Sequence, residues 1–255
     1  MDIPGRIDRS SPIPYYYQLQ EILRSWIQND QLPPHTRLPS EADLGDRFDV
    51  SRTVVRQALR GLERDGLIYR VKGSGSFVAQ PKLRQQISEL TSFTEDMRAR
   101  SVEAGSKVLR QEMVQATELV SGRLDLSRSA PVFLLQRVRY ADGEPLAIET
   151  AYLGFDGCEV LVRESFEDRS LYKTLAKTCG MRPYQAEQEL EAAIVRPGEA
   201  EWLEIELGAP VMLIHRTTYD AEMKPVEFVK SVYRGDKYSF VAKLRARPTE
   251  GDEEA

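Results

Sequence analysis

The spacing of hydrophobic positions predicts three helices before residue 67. In the third, the hydrophobic residues at i, i+3, i+4 and i+7 are Val55, Ala58, Leu59 and Leu62. This spacing places them on one helix face, which is expected to be buried. Ser51 is a suitable N-cap for this helix, and Gly66 is a suitable stop.

A shorter helix is predicted just upstream. Ser40 and Asp43 have the spacing of a capping box, in which two side chains satisfy backbone N–H groups at a helix start. This helix is expected to end near Phe48, only a few residues before Ser51, which is the spacing of a helix-turn-helix. The first of the three helices is predicted over residues 15–28. The residues expected on its packed side are Tyr16, Leu19, Leu23, Trp26 and Ile27.

After the third helix the pattern changes to that of a hairpin. Residues 67–71 and 76–78 are predicted strands around the turn Lys72-Gly73-Ser74-Gly75. A helix-turn-helix followed by a basic, Gly-rich hairpin makes a winged helix, a fold suited to DNA binding. A second face of the third helix carries arginines at i, i+4 and i+8, namely Arg52, Arg56 and Arg60.

On many helices a row of arginines is only a solvent-exposed face. The net charge of the neighbouring residues therefore helps to decide whether this row binds DNA. Residues 51–84 contain eight Lys/Arg against two acids, a local net charge of +6 in a chain whose total is −5. A basic strip on an acidic protein favours a phosphate-binding surface. Residues 91–255 are acidic instead, with 22 Lys/Arg against 29 Asp/Glu, a net charge of −7. This asymmetry indicates a DNA-binding domain joined to a domain with another task.

The second domain contains a weak internal repeat. VFLLQRVRYADGEPLAIE and VMLIHRTTYDAEMKPVEFV share V-x-L-aliphatic-x-R-x-x-Y and a later proline, and each alternates as a β-hairpin does. A helix near Ser170, a strand over residues 184–195, a helix begun by Pro197 and a last strand over residues 238–244 complete the pattern. Hairpins with interspersed helices predict an antiparallel sheet in an α+β domain. The predicted segments are a flexible arm (1–11), the winged helix (12–79), a linker (80–90), the second domain (91–247) and a disordered acidic tail (248–255).

The first hairpin holds a candidate anion site. Arg137 and Arg139 lie two residues apart and project from one strand face together with large apolar residues, which a bound anion would explain. A two-residue turn at Asp142-Gly143 would place Glu149 on the opposite face. A three-residue loop including Ala141 would place it beside the arginines, and this second register is the prediction; a structural salt bridge is the simpler interpretation of the same residues.

The composition argues against several other classes of protein. With 41% hydrophobic and 29% charged residues, and no apolar run near ~18 residues, the chain is predicted to be soluble and cytoplasmic. Cys158 and Cys179 are far apart without a CxxC pattern, so inert thiols are expected. His35 and His215 are the only histidines, which leaves no partners for a metal centre or a catalytic triad. No cofactor and no enzymatic activity are expected.

Several motifs in order carry a family resemblance. PYYYQLQ, LPSEADL, VSRTVVRQAL and GLIYRVKGSGSFV resemble the DNA-binding domain of GntR-family transcription regulators. The resemblance implies a homodimer on a palindromic operator. Ala42 stands where these relatives often have a DNA-contacting arginine. The residues implied to contact DNA are Ser40, Ser51, Arg52, Thr53, Arg56 and Gly73.

The second domain resembles the effector-binding UTRA domain of the HutC subgroup, whose fold is shared with chorismate lyase. TSFTEDM, LLQRVRYADGEPLAIETAYL, SLYKTL and PVEFVKSVYRGDKYSF carry the resemblance. PLAIET and VEFVKSVYRGDKYSFVAKL are similar to regulators of N-acetylglucosamine use, of the NagR and DasR type. The resemblance implies a phosphate site at Ser92, Phe93, Thr94, Arg137, Ser170 and Tyr172. It implies sugar contacts from Arg139, Glu149, Glu227 and Tyr233.

The resulting hypothesis is a regulator, expected to be a repressor, whose operator binding responds to glucosamine-6-phosphate or N-acetylglucosamine-6-phosphate. Another sugar phosphate, urocanate or a phosphonate remains an alternative effector. A chorismate-lyase-like enzyme is the rival from another class, although no motif pairs a nucleophile with a base.

Overall fold

The computed structural model describes residues 3–29, 32–71, 73–87 and 89–244. Lys72 of the predicted turn, Ser88 of the predicted linker and the predicted acidic tail lie outside the described residues. The chain divides into an N-terminal unit (Met1–Lys82) and a C-terminal unit (Leu83–Ala255), which are described separately.

The N-terminal unit is a winged helix, as the hydrophobic pattern predicted. Its elements are α1 (Tyr15–Asn29), α2 (Glu41–Phe48), α3 (Arg52–Arg64), β1 (Ile68–Val71) and β2 (Gly75–Val78). The stripe predicted on α3 is buried and packs with Leu19, Leu23 and Trp26 of α1 in one core cluster. Tyr16, predicted on the packed side of α1, is 39% exposed, so that assignment was wrong. The antiparallel pair β1–β2 forms the wing.

The predicted caps define the helix ends. Ser40 and Asp43 form a complete capping box on α2, and the Ser51 hydroxyl accepts a hydrogen bond from the Val54 N–H at the start of α3. Gly66 follows α3 with φ +71°, a left-handed conformation that glycine adopts without steric cost.

The segment predicted as a flexible arm makes defined contacts in the structure. Ile3 is 1% exposed and belongs to the core cluster of the winged helix, and its carbonyl accepts a hydrogen bond from Arg47. The Asp8 N–H donates to Gln18 Oε1 at 2.8 Å. Residues 3–11 therefore pack against the rest of the N-terminal unit.

The C-terminal unit is built on one antiparallel sheet of six strands in the order β4-β5-β6-β9-β8-β7. The strands are β4 (Ala104–Gln115), β5 (Pro131–Ala141), β6 (Glu144–Leu153), β7 (Gln185–Ile194), β8 (Pro210–Tyr219) and β9 (Pro225–Arg234). The two repeated segments are the hairpins β5–β6 and β8–β9, which meet at the centre because β6 pairs with β9. This confirms the predicted α+β fold with an antiparallel sheet.

Short helices and a second, parallel strand pair complete the unit. The helices are α4 (Phe93–Ala99), α5 (Glu118–Arg123), α6 (Leu171–Thr174) and α7 (Pro197–Leu203), with a 3₁₀ turn at Cys158–Arg163 and a π turn at Leu175–Cys179. Strand β3 (Leu83–Gln86) pairs in parallel with β10 (Tyr238–Val241). The sequence pattern had not revealed β4, and β3 lies within the segment predicted as linker.

The register of the first hairpin corrects the predicted turn. Asp142 and Gly143 form a two-residue turn with φ +49° and +79°, rather than the predicted three-residue loop. The register then shifts: Tyr140 pairs with Pro145 but Arg139 pairs with Ala147, which leaves Leu146 as a bulge. A bulge adds one residue to one strand and moves every later side chain to the other face. Glu149 therefore lies directly opposite Arg137, beside the arginines as predicted but for a different reason.

Candidate functional site

The exposed face of the N-terminal unit carries the residues predicted to contact DNA. All six are solvent-exposed: Ser40, Ser51, Arg52, Thr53, Arg56 and Gly73. The hydroxyls of Ser40 and Ser51 cap the N-termini of α2 and α3 and so fix the first turn of each helix. Gly73 lies at the wing tip with φ +79° and open space around it. Their contact with DNA stays a prediction.

Arg56, on this face, forms an ion pair with an acid of α2. Its side chain is 53% exposed, and its Nη2 atom lies 3.3 Å from Glu41 Oε2 of α2. Glu41 also lies 3.8 Å from Arg70 on β1. The acid therefore links the two helices and the wing, while an exposed pair of this kind contributes only about 0–1 kcal/mol to stability. Arg56 thus remains available to a phosphate or a base edge at small cost.

The C-terminal unit contains a cavity over its sheet, lined by residues of α4, α6 and the strands β5, β6, β8 and β9. All ten residues predicted to bind the effector line it: Ser92, Phe93, Thr94, Arg137, Arg139, Glu149, Ser170, Tyr172, Glu227 and Tyr233. Their role in binding stays a prediction, but the structure brings all of them to one place.

The sheet forms the floor of this cavity, and its register explains the layout. One row of directly paired residues across the sheet consists of Arg137, Glu149, Ser231 and Ile214. The next row consists of Leu135, Ala151, Val229 and Arg216. Ser231, Ala151 and Val229 therefore lie with Glu149 at the centre of the floor, and Arg137 and Arg216 lie on its two flanks. The result is a depression with charged walls.

Arg137 and Glu149 form a buried ion pair on one side of the floor. Arg137 Nη2 donates to Glu149 Oε1 at 2.8 Å, and the two side chains are only 3% and 15% exposed. Arg137 Nη1 also donates to the Arg169 carbonyl at 3.0 Å. Burial opposes ionisation of Glu149, but Arg137 and Arg139 outweigh it and hold the pKa of this carboxyl below its ordinary value.

Arg139 is a buried cation with incomplete hydrogen bonding. Its guanidinium lies 4.3 Å from the centre of the Phe93 ring, and its Nη2 atom donates to Thr94 Oγ1 at 3.2 Å. Burial, with a smaller contribution from Arg137, lowers the pKa of Arg139 to about 10. Within the part of the chain that the structure describes, Nε and Nη1 of Arg139 and Nε of Arg137 are buried without hydrogen-bond partners. Buried donors of this kind normally have acceptors, so an anion in the cavity would satisfy them.

Hydroxyl groups lie beside these arginines. Ser92 Oγ and Ser170 Oγ are 3.4 Å apart, and both residues are buried. Each also caps a short helix, since Ser92 accepts from the Glu95 N–H and Ser170 from the Lys173 N–H. The caps fix both hydroxyls at the cavity wall.

The opposite end of the cavity contains a buried acid, Glu227. It accepts hydrogen bonds from Tyr172 Oη at 2.9 Å and from Thr218 Oγ1 at 2.8 Å. Burial raises the pKa of the Glu227 carboxyl, although both hydrogen bonds and nearby Arg216 oppose the shift. Burial, reinforced by the negative charge of Glu227, also raises the pKa of Tyr172.

The sequence interpretation missed Arg216, a third arginine of the cavity. Its Nε donates to Gln188 Oε1 at 2.8 Å, and its side chain is partly buried. The internal repeat carried the signal, because Arg216 occupies in VMLIHRTTY the position of Arg137 in VFLLQRVRY. Gln85, Asp96 and Tyr238 were missed too. Tyr238 Oη lies 2.9 Å from Asp96 Oδ2 and 3.0 Å from Gln85 Oε1, within hydrogen-bond distance of both, while its ring stacks on Tyr233 with 4.5 Å between the ring centres.

The two buried acids are expected to affect stability with opposite dependence on pH. Because the folded-state pKa of Glu149 is lowered, its contribution is present above its ordinary pKa of 4.5 and lost as pH falls below it. Glu149→Gln should therefore destabilise the C-terminal unit most at neutral pH.

Because the pKa of Glu227 is raised, its ionisation costs stability as pH rises above 4.5, so Glu227→Gln should be best tolerated at neutral pH.

Urea denaturation at neutral and acidic pH measures both effects. The chain has two tryptophans, Trp26 in the N-terminal unit and Trp202 in the C-terminal unit. In a Trp26→Phe background, fluorescence of Trp202 therefore reports on the C-terminal unit alone. The same pH trend for both Gln variants would contradict the assigned pKa shifts.

Two further observations concern metal binding and membrane spans. No group of three or more His, Cys, Asp or Glu side chains among them could hold a metal ion. Across the same described ranges, no helix combines the length and apolar character needed to cross a membrane.

Comparisons with known proteins agree with the two-unit structure. Residues 15–78 match the family model "Bacterial regulatory proteins, gntR family", and residues 99–239 match the model "UTRA domain". The HTH-type transcriptional repressor NagR of Bacillus subtilis is 41% identical over 92% of this chain and 96% of its own. The histidine utilization repressor of Pseudomonas putida is 29% identical over 89% of this chain and 90% of its own.

A solved structure supports the same assignment. The crystal structure of PhnF from Mycobacterium smegmatis matches with a TM-score of 0.61 and 30% sequence identity, and the match covers 92% of this chain and 100% of that one. The relatives named here carry the names of transcription regulators or repressors. With its winged helix, its UTRA-domain sheet and these full-length relatives, the chain belongs to the GntR family of bacterial transcription regulators, in the HutC-type group that carries a UTRA domain.

Proposed function

We propose that this regulator is a repressor whose affinity for operator DNA is controlled by an amino-sugar phosphate bound in the cavity of the C-terminal unit. The observation that carries the proposal is the pair Arg137 and Arg139. Both are 2% exposed, and three of their buried N–H groups have no acceptor among the described residues. A phosphate offers several acceptor oxygens and the negative charge that two adjacent guanidinium groups require.

The charges around the cavity favour an anion with more than one negative charge. Arg137, Arg139 and Arg216 line it, and among its acids Glu149 is already paired with Arg137. Asp96 is paired with Arg100, and Glu227 accepts hydrogen bonds from Tyr172 and Thr218. The hydroxyls of Ser92, Thr94 and Ser170 stand beside the arginines and suit the remaining phosphate oxygens.

The other end of the cavity suits a sugar. Glu227 accepts hydrogen bonds there, and Tyr233, in the row of Arg139 further along β9, offers a ring and a hydroxyl to the same cavity. A polyhydroxylated ring thus finds both acceptors and an apolar surface in the cavity. The name of the relative NagR in Bacillus subtilis is that of a transcriptional repressor, which supports repression as the direction of control.

On the DNA side, the proposal is a homodimer that places one α3 helix per protomer in the major groove of a palindromic operator. The two half-sites would lie about one helical turn apart. Effector binding would favour an arrangement that mismatches this spacing, through a coupling free energy of about 1–3 kcal/mol.

Fluorescence anisotropy of the full-length protein on the DNA upstream of its own gene tests the proposal. Operator binding is measured at stated salt, with and without glucosamine-6-phosphate or N-acetylglucosamine-6-phosphate. Release by either sugar phosphate, about 5–150-fold in Kd for a coupling of this size, is the expected result. Inorganic phosphate and the unphosphorylated sugars are the matched controls and should release far less DNA. Tight operator binding that neither sugar phosphate weakens would show that the effector is a different molecule.

A further inference from the structure

The N-terminal arm, residues 3–11, holds an arginine beside the turn that precedes α3. Arg9 Nη2 donates to the Asp49 carbonyl at 2.9 Å and forms an ion pair with the Asp49 carboxylate. Asp49 is the C-cap of α2, and Ser51, the N-cap of α3, follows two residues later. Because consecutive Cα atoms are about 3.8 Å apart, the guanidinium of Arg9 lies within about one side-chain length of the start of α3.

Contacts on both sides of Arg9 fix the course of this arm. Before it, Ile3 is buried in the core of the winged helix. The Gln18 side chain of α1 accepts from the Asp8 N–H at 2.8 Å and donates to the Asp8 carbonyl at 3.0 Å. The same amide donates to the Ile13 carbonyl at 2.8 Å, on the other side of Arg9. The arm therefore brings Arg9 to the turn through its own packing, and not through the ion pair alone.

Arg9 retains donors for a further partner. Its side chain is 58% exposed, and that of Asp49 is 88% exposed. Among the described residues all hydrogen bonds of Arg9 use Nη2, so the N–H groups of Nε and Nη1 have no protein acceptor there. An exposed ion pair of this kind is weak, so Arg9 can bind another anion at small cost.

We propose that Arg9 binds a phosphate of the DNA backbone, so that the N-terminal arm is part of the DNA-binding surface. This inference rests on the DNA side of the proposed function and extends it beyond α3 and the wing. In helix-turn-helix proteins the second helix places its N-terminal residues at base edges, while the first helix crosses the backbone. The turn between the helices therefore lies close to the backbone, and a guanidinium there can donate two parallel N–H groups to phosphate oxygens.

Fluorescence anisotropy of the full-length protein tests this contact. Arg9→Gln is measured on the upstream DNA and on an unrelated duplex, from about 0.05 to 0.2 M salt. One phosphate contact contributes about 0.9 to the slope of log K against log salt, so the variant should bind about fivefold more weakly at about 0.15 M salt and about 15-fold at about 0.05 M. Both DNAs should be weakened equally, because a phosphate contact carries no sequence information.

A second background separates a phosphate contact from simple neutralisation of Asp49. Asp49→Asn removes the acid, and asparagine tolerates the left-handed φ of +49° at this position. This variant should bind DNA more tightly than the wild type, because a negative charge near the backbone is lost. Arg9→Gln should still cost about fivefold at about 0.15 M salt in this background. If that cost disappears, Arg9 acts only by neutralising Asp49, and the phosphate contact is overturned.

Two control variants define the effect of charge. Arg9→Lys keeps the positive charge and should retain most of the affinity and the salt slope. Arg128→Gln removes the same charge from the C-terminal unit, where Arg128 pairs with Glu118 at 2.9 Å, and should change neither. An equal loss in Arg128→Gln and Arg9→Gln would replace the contact by a general charge effect.

The outcomes also separate this inference from the proposed function. Wild-type affinity and salt slope in Arg9→Gln overturn the inference and leave the proposed function standing. A loss on the upstream DNA alone overturns it as well, because it indicates base recognition. If the wild type binds its upstream DNA no more tightly than the unrelated duplex, the proposed function fails, while the salt slope on the unrelated duplex still decides the role of Arg9.

Discussion

Arg137→Met is expected to destabilise the C-terminal unit by about 3–5 kcal/mol, because Glu149 would stay buried without its ion-pair partner. The present pair is short, at 2.8 Å, and both side chains are nearly excluded from solvent. Arg139 remains close enough to lower the pKa of Glu149, so we expect the loss near the lower end of this range. Urea denaturation followed by Trp202 fluorescence, in the Trp26→Phe background, measures it.

The double variant Arg137→Met with Glu149→Met separates the two roles of Arg137. Replacement of a buried ion pair by apolar residues of similar volume is often neutral for stability, so most of the lost free energy should return. Binding of a sugar phosphate should not return, because the guanidinium that faces the phosphate is still missing. A double variant as unstable as the single one would show that Arg137 stabilises the fold mainly through its bond to the Arg169 carbonyl.

Arg56→Ala is expected to weaken operator binding by about 1–3 kcal/mol, or about 5–150-fold in Kd, while leaving effector binding and stability nearly unchanged. The side chain is 53% exposed, and its ion pair with Glu41 is a weak surface pair. Fluorescence anisotropy at several salt concentrations measures the change. A phosphate contact would reduce the salt slope by about one, whereas a base contact would relax the sequence preference.

Arg128→Ala is the matched control for Arg56. Arg128 is an exposed arginine of the C-terminal unit that also pairs with a single acid, Glu118, at 2.9 Å. Its loss changes the net charge by the same amount away from the arginine row of α3. Unchanged operator affinity in Arg56→Ala would remove Arg56 from the DNA interface. An equal loss in both variants would show a general charge effect rather than a contact.

Local signals in the sequence determined the N-terminal unit almost completely. The capping residues Ser40 and Ser51 and the apolar stripe of α3 act within one or two turns of their own positions, so a linear pattern contains them. The predicted burial of Tyr16 was wrong because the packed face of α1 depends on which side of it α3 covers, and that is a tertiary contact. The packing of Ile3 into the core was missed for the same reason.

The cavity was predictable in its residues but not in its construction. The repeated hairpins and the family resemblance selected ten residues that the structure does bring together. The repeat could have identified Arg216, since Arg216 occupies the same position in the second repeated segment as Arg137 does in the first. Strand β4 was not predictable because it is an edge strand whose side chains are mostly exposed or half-buried, so its apolar alternation is weak. The pairing of β3 with β10 was not predictable because pairing partners far apart in the chain leave little trace in a single strand's pattern.

What the sequence alone determined about this protein is the elements of the winged helix, the two repeated hairpins and the charge asymmetry between its halves. All three follow from local spacing and residue type, whereas most of the predicted cavity residues came from the family resemblance. What only the tertiary structure decided is the register: the bulge at Leu146, not the loop length, places Glu149 opposite Arg137. A one-residue shift reverses the face of every later side chain, and its energy comes from packing across the whole sheet rather than from the turn that begins it.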